Sequence, residues 1–192
     1  MILLIDTSSA KLLVGLGSDD GTLVTFRQRV AEANERGIHD ARLALEVSGI
    51  LAEQEVAAKA VTRIGIVIGP GSFTGLRIGL AFAKGFASAW GAKIIPIVKH
   101  ELLAVAQESG GRLLVTDGYQ PALAYVAKNS EPKEVKLVKR AEMDLAGART
   151  ESQMTSDELM QRLLDLTILG EAANLASLEP LYLVDFAPTI SK

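Results

Sequence analysis

The chain has 192 residues, no cysteine and two histidines, His39 and His100. That length holds one large domain or two small ones, and the hydrophobic set of 48%, with 17 glycines besides, supplies a core even though aromatics are only 5%. The absent cysteines exclude disulfides, thiolate zinc sites, iron–sulfur clusters and a cysteine nucleophile, and a net charge of −3 argues against a stand-alone polyanion binder.

The elements follow in chain order. Residues 2–5 form an apolar run that reads as a buried strand. A second strand covers 12–16, and Ser18-Asp19-Asp20-Gly21 is a turn that makes a hairpin with a third strand over 22–30. A long helix is expected over 34–55, a buried strand over 61–68, and a second long helix over 73–90, ended by Gly91. A strand at 94–98 and a short helix at 101–109 complete a βββαβαβα unit. Gly110-Gly111 is a hinge candidate. Strands are then expected at 113–116, 122–127 and 135–138, a helix at 155–164 capped by Thr155 or Ser156, a short strand at Ile168-Leu169, and a short helix to Leu175. The tail from Leu181 to Phe186 is apolar. These patterns divide the chain into a lobe of residues 1–109 and a smaller, reduced lobe of residues 110–192.

The order implies a mixed sheet with helices on both faces, because hairpins give antiparallel strands and helical crossovers give parallel ones. It resembles a lobe of the actin/Hsp70/sugar-kinase superfamily. The expected fold class is therefore α/β, a two-lobed actin-like ATPase (ribonuclease H-like) fold. The opening Met-Ile-Leu-Leu-Ile-Asp lacks a basic n-region and a cleavage site, so no signal peptide is expected. No apolar run is long enough to span a bilayer, and the expected compartment is the cytoplasm. The histidines form no HExxH or HxxxH pair, so a histidine-built metal site is not expected, while carboxylate sites stay open. Lys133, Lys136, Lys139 and Arg140 are interleaved with Glu131, Glu134 and Glu142, which reads as a solvated strand and turn.

The most informative stretch is Gly69-Pro70-Gly71-Ser72-Phe73-Thr74-Gly75-Leu76-Arg77-Ile78-Gly79. Ser72 is placed to cap the helix that follows. A glycine-rich turn into a helix N-terminus fits either tight packing or contact with an anion. No Gly-Lys-Ser/Thr follows, so it is not a Walker A loop. On the helix, Gly75, Gly79, Ala83 and Ala87 form one stripe, and Ile78, Phe82 and Phe86 the adjacent one. Leu76, Leu80 and Phe73 lie on the other side, leaving Arg77, Lys84 and Ser88 as the polar face. That is more apolar surface than one sheet face requires. The excess buries either against the neighbouring helix or against another chain. The first long helix has two apolar faces, Leu43, Ala44, Val47, Ile50 and Leu51 on one and Ile38, Ala41 and Leu45 on the other. A polar stripe of His39, Arg42, Glu46 and Glu53 separates them, with Arg42 and Glu46 as an i, i+4 pair.

Asp6-Thr7-Ser8 after the first strand, together with the 69–79 motif, resembles the bacterial TsaB (YeaZ) family of tRNA threonylcarbamoyladenosine biosynthesis proteins. Arg36 with His39-Asp40 is similar to the family's Arg-x-His-Ser-Glu region. Glu179-Pro180-Leu181-Tyr182-Leu183 is similar to its Pro-Leu-Tyr-Leu-Arg segment, with Val184 in place of Arg. The likeness spans the chain and is strongest over residues 1–105. Asp117-Gly118-Tyr119 and Leu123-Ala124-Tyr125 depart from the family's Asp-Ala-Arg and Glu-Val-Tyr segments.

The resemblance implies a non-catalytic subunit of the complex that makes threonylcarbamoyladenosine beside the anticodon of tRNAs reading ANN codons. Its implied partners are a TsaD-like catalytic paralogue, a TsaE-like ATPase and, through the complex, tRNA; a homodimer is implied for the isolated chain. Partner-binding residues are expected to be Ile38, His39, Leu45, Gly75, Ile78, Gly79, Phe82, Ala83 and Phe86. A vestigial phosphate or anion loop would comprise Asp6, Thr7, Ser8, Gly69, Gly71 and Ser72. No catalytic or metal-binding residue is expected. ATP or ADP and magnesium belong to the implied complex rather than to this chain alone. The competing readings are an active ATPase or phosphotransferase of the superfamily and a metallopeptidase.

Overall fold

The computed structural model describes residues 1–30, 38–104, 112–117, 122–145 and 147–183, with the backbone alone for 38–41. Its first sheet has the order β3-β2-β1-β4-β5, built from β1 (Ile2–Asp6), β2 (Lys11–Gly17), β3 (Leu23–Val30), β4 (Arg63–Gly69) and β5 (Lys93–Val98). β1 pairs antiparallel with β2 and parallel with β4, and β4 pairs parallel with β5. The hairpin between β2 and β3 closes at the expected turn. There the Asp20 carboxylate accepts from the Thr22 amide at 3.0 Å and Gly21 adopts φ 92°, a conformation that glycine enters without steric penalty.

Alternation along the strands assigns the two faces. Leu3, Ile5, Val14, Ile64 and Ile66 face one side. There they meet α1 (Ile38–Glu53) through Leu43, Val47 and Ile50, and α2 (Phe73–Trp90) through Leu80, Ala83 and Ala87. Ile2, Leu4, Leu13, Val67 and Ile95 face the other side. That side is covered by the short α3 (Lys99–Leu103) and by α4 (Ser156–Leu169), through Leu102, Leu103, Leu159, Met160, Leu163 and Leu164. α4 approaches closely because the strands beneath it are notched. A Cβ at Gly15, Gly17 or Gly65 would collide with Met160, Leu164 or Thr167.

The second sheet has the order β8-β7-β6-β9, from β6 (Leu113–Asp117), β7 (Leu123–Lys128), β8 (Glu131–Lys139) and the two-residue β9 (Arg149–Thr150). Each sheet is mixed, with helices on both faces of the first. This is the two-lobed α/β architecture with a reduced second lobe. The first sheet's last strand ends at Val98 and the second sheet's first begins at Leu113, yet α4 comes from the later segment and packs on the first sheet.

Several elements differ from the sequence expectation. Ile168-Leu169 is the last turn of α4 rather than a strand, because Leu159, Leu163 and Leu164 bury one continuous helical face. Residues 170–175 form no helix; Gly170 follows α4 in extended conformation, and Ala173 donates its amide to the Ile94 carbonyl at 2.9 Å. β8 runs nine residues, not four, its charged side chains having masked an edge strand. α3 spans Lys99–Leu103, and the expected continuation over 105–109 lies outside the described residues. The same holds for the start of the first helix at 34–37, for the Gly110-Gly111 hinge and for Gly118-Tyr119. Glu46, on the polar stripe of the first helix, does not face solvent. It is buried, and its carboxylate accepts from Arg27 Nη1 at 3.0 Å and Arg29 Nε at 2.6 Å on β3.

Candidate functional site

The site lies where β1 ends. Asp6, Thr7 and Ser8 leave the sheet beside the Gly69–Pro70 turn, which is a cis peptide, and the start of α2. All three are buried, at 2%, 0% and 4% exposure. Both carboxylate oxygens of Asp6 are engaged. Oδ1 accepts from the Ser8 amide at 2.9 Å and the Ser8 hydroxyl at 2.6 Å, and Oδ2 accepts from Lys99 Nζ at 2.6 Å. Lys99 is 1% exposed and also meets Glu151 Oε1 at 3.1 Å. Burial pushes the Asp6 carboxyl up, but the Lys99 charge and the bonds from Lys99 and Ser8 outweigh it and hold it below its usual value. Burial likewise pushes the Lys99 ammonium down, and Asp6 and Glu151 outweigh that, holding it above its usual value.

The glycine turn is filled by the chain itself. Ser72 caps α2, its hydroxyl accepting from the Gly75 amide at 3.2 Å. The Ser72 amide donates to the Ser8 carbonyl at 2.7 Å. A Cβ at Gly71 would strike that same carbonyl, and one at Gly69 would crowd the Leu181 carbonyl and Leu76. The Leu181 amide donates to the Ile68 carbonyl at 2.8 Å, and the Tyr182 ring packs tilted against Phe73, with 5.0 Å between centroids. Thr7 is pressed against Gly79, and its hydroxyl has no hydrogen-bond partner.

The loop residues expected from sequence, Asp6, Thr7, Ser8, Gly69, Gly71 and Ser72, are thus brought together at one place. They do not fit a magnesium nucleotide. A metal at Asp6 would have to displace Lys99, and a phosphate at the turn would have to displace Ser8 from the Ser72 amide. No group of three or more His, Asp or Glu side chains able to hold a metal occurs among the described residues. Sequence reasoning missed Lys99, Glu151 and His100. The one available signal was a lysine and a histidine directly after an apolar strand. His100 is fully buried. Its Nε2 donates to the Tyr125 carbonyl at 3.0 Å, while Nδ1 has no partner. Burial depresses its pKa to about 4.

The residues expected to bind a partner separate into two groups. Gly75, Gly79 and Ala83 are buried against the chain's own first lobe. The small-residue stripe therefore serves intramolecular packing. Its close approach lets Thr7 sit against α2. Ile78, Phe82 and Phe86 are half-buried on the flank of that core, and Leu45 is 67% exposed. Gly85 faces open space. The side chains of Ile38 and His39 lie outside the described residues. A groove of about 560 Å³ on the second sheet, lined by residues such as Leu113, Val126, Val138 and Met143, contains none of the candidate site residues.

The family model for TsaD, tRNA N6-adenosine threonylcarbamoyltransferase, matches residues 33–149, more than half of the chain. The chain belongs to this family. Within it, the chain resembles YeaZ in fold. YeaZ from Pseudomonas aeruginosa superposes with a TM-score of 0.71 at 19% identity, over 94% of this chain and 98% of that one. An uncharacterized protein with similarity to peptidase YeaZ from Pseudomonas aeruginosa gives 0.71 at 21% identity, over 95% and 99%. Both likenesses are of fold. An uncharacterized protein of Mycobacterium leprae is 32% identical over 118 residues, 61% of this chain. The chain spans about a third of the length of that curated relative. No helix among the described residues is long and apolar enough to cross a membrane.

Proposed function

We propose that the chain is a non-catalytic subunit of the bacterial complex that makes threonylcarbamoyladenosine in tRNA. In this reading it acts in the cytoplasm, as a pseudoenzyme that binds and stabilises the catalytic TsaD paralogue. The TsaE-like ATPase, ATP and magnesium act elsewhere in the assembly, and tRNA is met through the complex. The observation that carries the reading is the filled loop: Lys99 and Ser8 occupy both oxygens of Asp6, and Ser8 occupies the amide at the start of α2. Those groups are engaged within the chain and are not open to a magnesium nucleotide.

The proposed partner surface is the outward side of α1 and α2, with Leu45 exposed and Ile78, Phe82 and Phe86 half-buried. Trp90, 51% exposed, extends it at the end of α2. Exposed apolar side chains grouped on two neighbouring helices are costly to leave in water and mark an interface. The same surface would pair two copies when the paralogue is absent.

Co-expression with the catalytic paralogue of the same genome, followed by size measurement, tests this. The expected result is a stable complex larger than either chain. Separate elution of two well-folded chains would refute it.

A further inference from the structure

Lys99 opens α3 directly after β5, and its ammonium lies between two carboxylates from different parts of the fold. Asp6 closes β1 in the first sheet, at 2.6 Å, and Glu151 follows β9 of the second sheet, at 3.1 Å. Asp6 and Lys99 are each 2% exposed at the side chain, and Glu151 is 21% exposed. Asp6 without a counter-ion at such depth would be strongly unfavourable. The neighbouring His100 is neutral, with Nε2 on the Tyr125 carbonyl, and supplies no charge. One cation therefore satisfies Asp6 and at the same time reaches the second lobe.

We propose that Lys99 is a tethered counter-ion that clamps the two lobes through Asp6 and Glu151, so that their arrangement is set within the chain and needs neither metal nor nucleotide. The position at the end of β1 is filled by the chain's own ammonium, which explains why the loop around it does not fit a magnesium nucleotide. The inference concerns the chain's internal architecture and stands whether or not the proposed partner is the right one.

The test is hydrogen exchange with thermal unfolding on the full chain, as wild type, Glu151→Gln and Lys99→Met. Wild type is expected to melt at one temperature in EDTA, in magnesium and in magnesium-ATP. Glu151→Gln is expected to speed exchange about tenfold in residues 99–103 and 149–153 together, with residues 159–164 of α4 unchanged. Lys99→Met is expected to do the same more strongly, because it leaves Asp6 buried without a counter-ion, and adding Asp6→Asn is expected to recover part of the loss. If Lys99→Met does not fold, Glu151→Gln decides. Unchanged exchange in both segments, a response confined to one lobe, or a melting temperature of wild type raised by magnesium-ATP would each overturn the proposal.

Discussion

At the scale of single residues, the glycine motif is a packing device. Gly79 exists to admit Thr7, and a side chain there has no room because Thr7 is itself fully buried. Gly79→Ala is expected to cost about 1–3 kcal/mol by overpacking, measured by urea unfolding; a loss below about 0.5 kcal/mol would show that the contact yields. His100 sets an acid limit. Its folded pKa of about 4 lies below the ordinary 6.5, so the unfolded chain takes up a proton first as pH falls. Its contribution is therefore complete above about pH 6.5 and is lost progressively toward pH 4, a change of about 3 kcal/mol. Urea titrations at pH 7 and pH 4 should show that slope in wild type and a flatter one in His100→Gln. Equal slopes would contradict the buried neutral imidazole. Lys99 shows why such residues escape sequence reading. Its partner Asp6 is 93 positions away, so nothing local reveals that its charge is neutralised.

At the scale of elements, α2 carries both the core and the proposed interface, and its two sides respond differently. Its inward positions are Gly75, Leu76, Gly79, Leu80, Ala83 and Ala87. Its outward side, with α1, offers Leu45 and the open space at Gly85. Leu45→Arg with Gly85→Arg is expected to change stability by less than about 1 kcal/mol and to abolish co-purification with the catalytic paralogue. Retained co-purification of this double variant would remove the interface assignment. The caps, the hairpin turn and both long helices were legible because each has a local signature: Ser72 and Thr155 as caps, Ser18 to Gly21 as the turn, Gly91 in the left-handed region at φ 77°. The direction of the glycine stripe was not legible. Helical periodicity shows that Gly75, Gly79 and Ala83 share a face but not whether that face meets the chain's own sheet or another molecule. Ile168-Leu169 was misread for a related reason. Two apolar residues cannot distinguish a strand from one more helical turn.

At the scale of the whole molecule, the first sheet is buried on both sides by helices drawn from distant parts of the chain. α4 seats in the notch made by Gly15, Gly17 and Gly65, and residues 178–182 return to the turn at Gly69 through Leu181. The glycines at these positions thus serve close approach inside the molecule, and the surface proposed for a partner is the narrower outward side of α1 and α2. On the proposed reading, a filled loop and lobes tied from within suit a rigid subunit for another protein's chemistry. The direct measurement is threonylcarbamoyladenosine formation in tRNA by the catalytic paralogue and the TsaE-like ATPase, assayed with and without this chain. Modification that depends on the chain is the predicted result. Full modification in its absence would contradict the account.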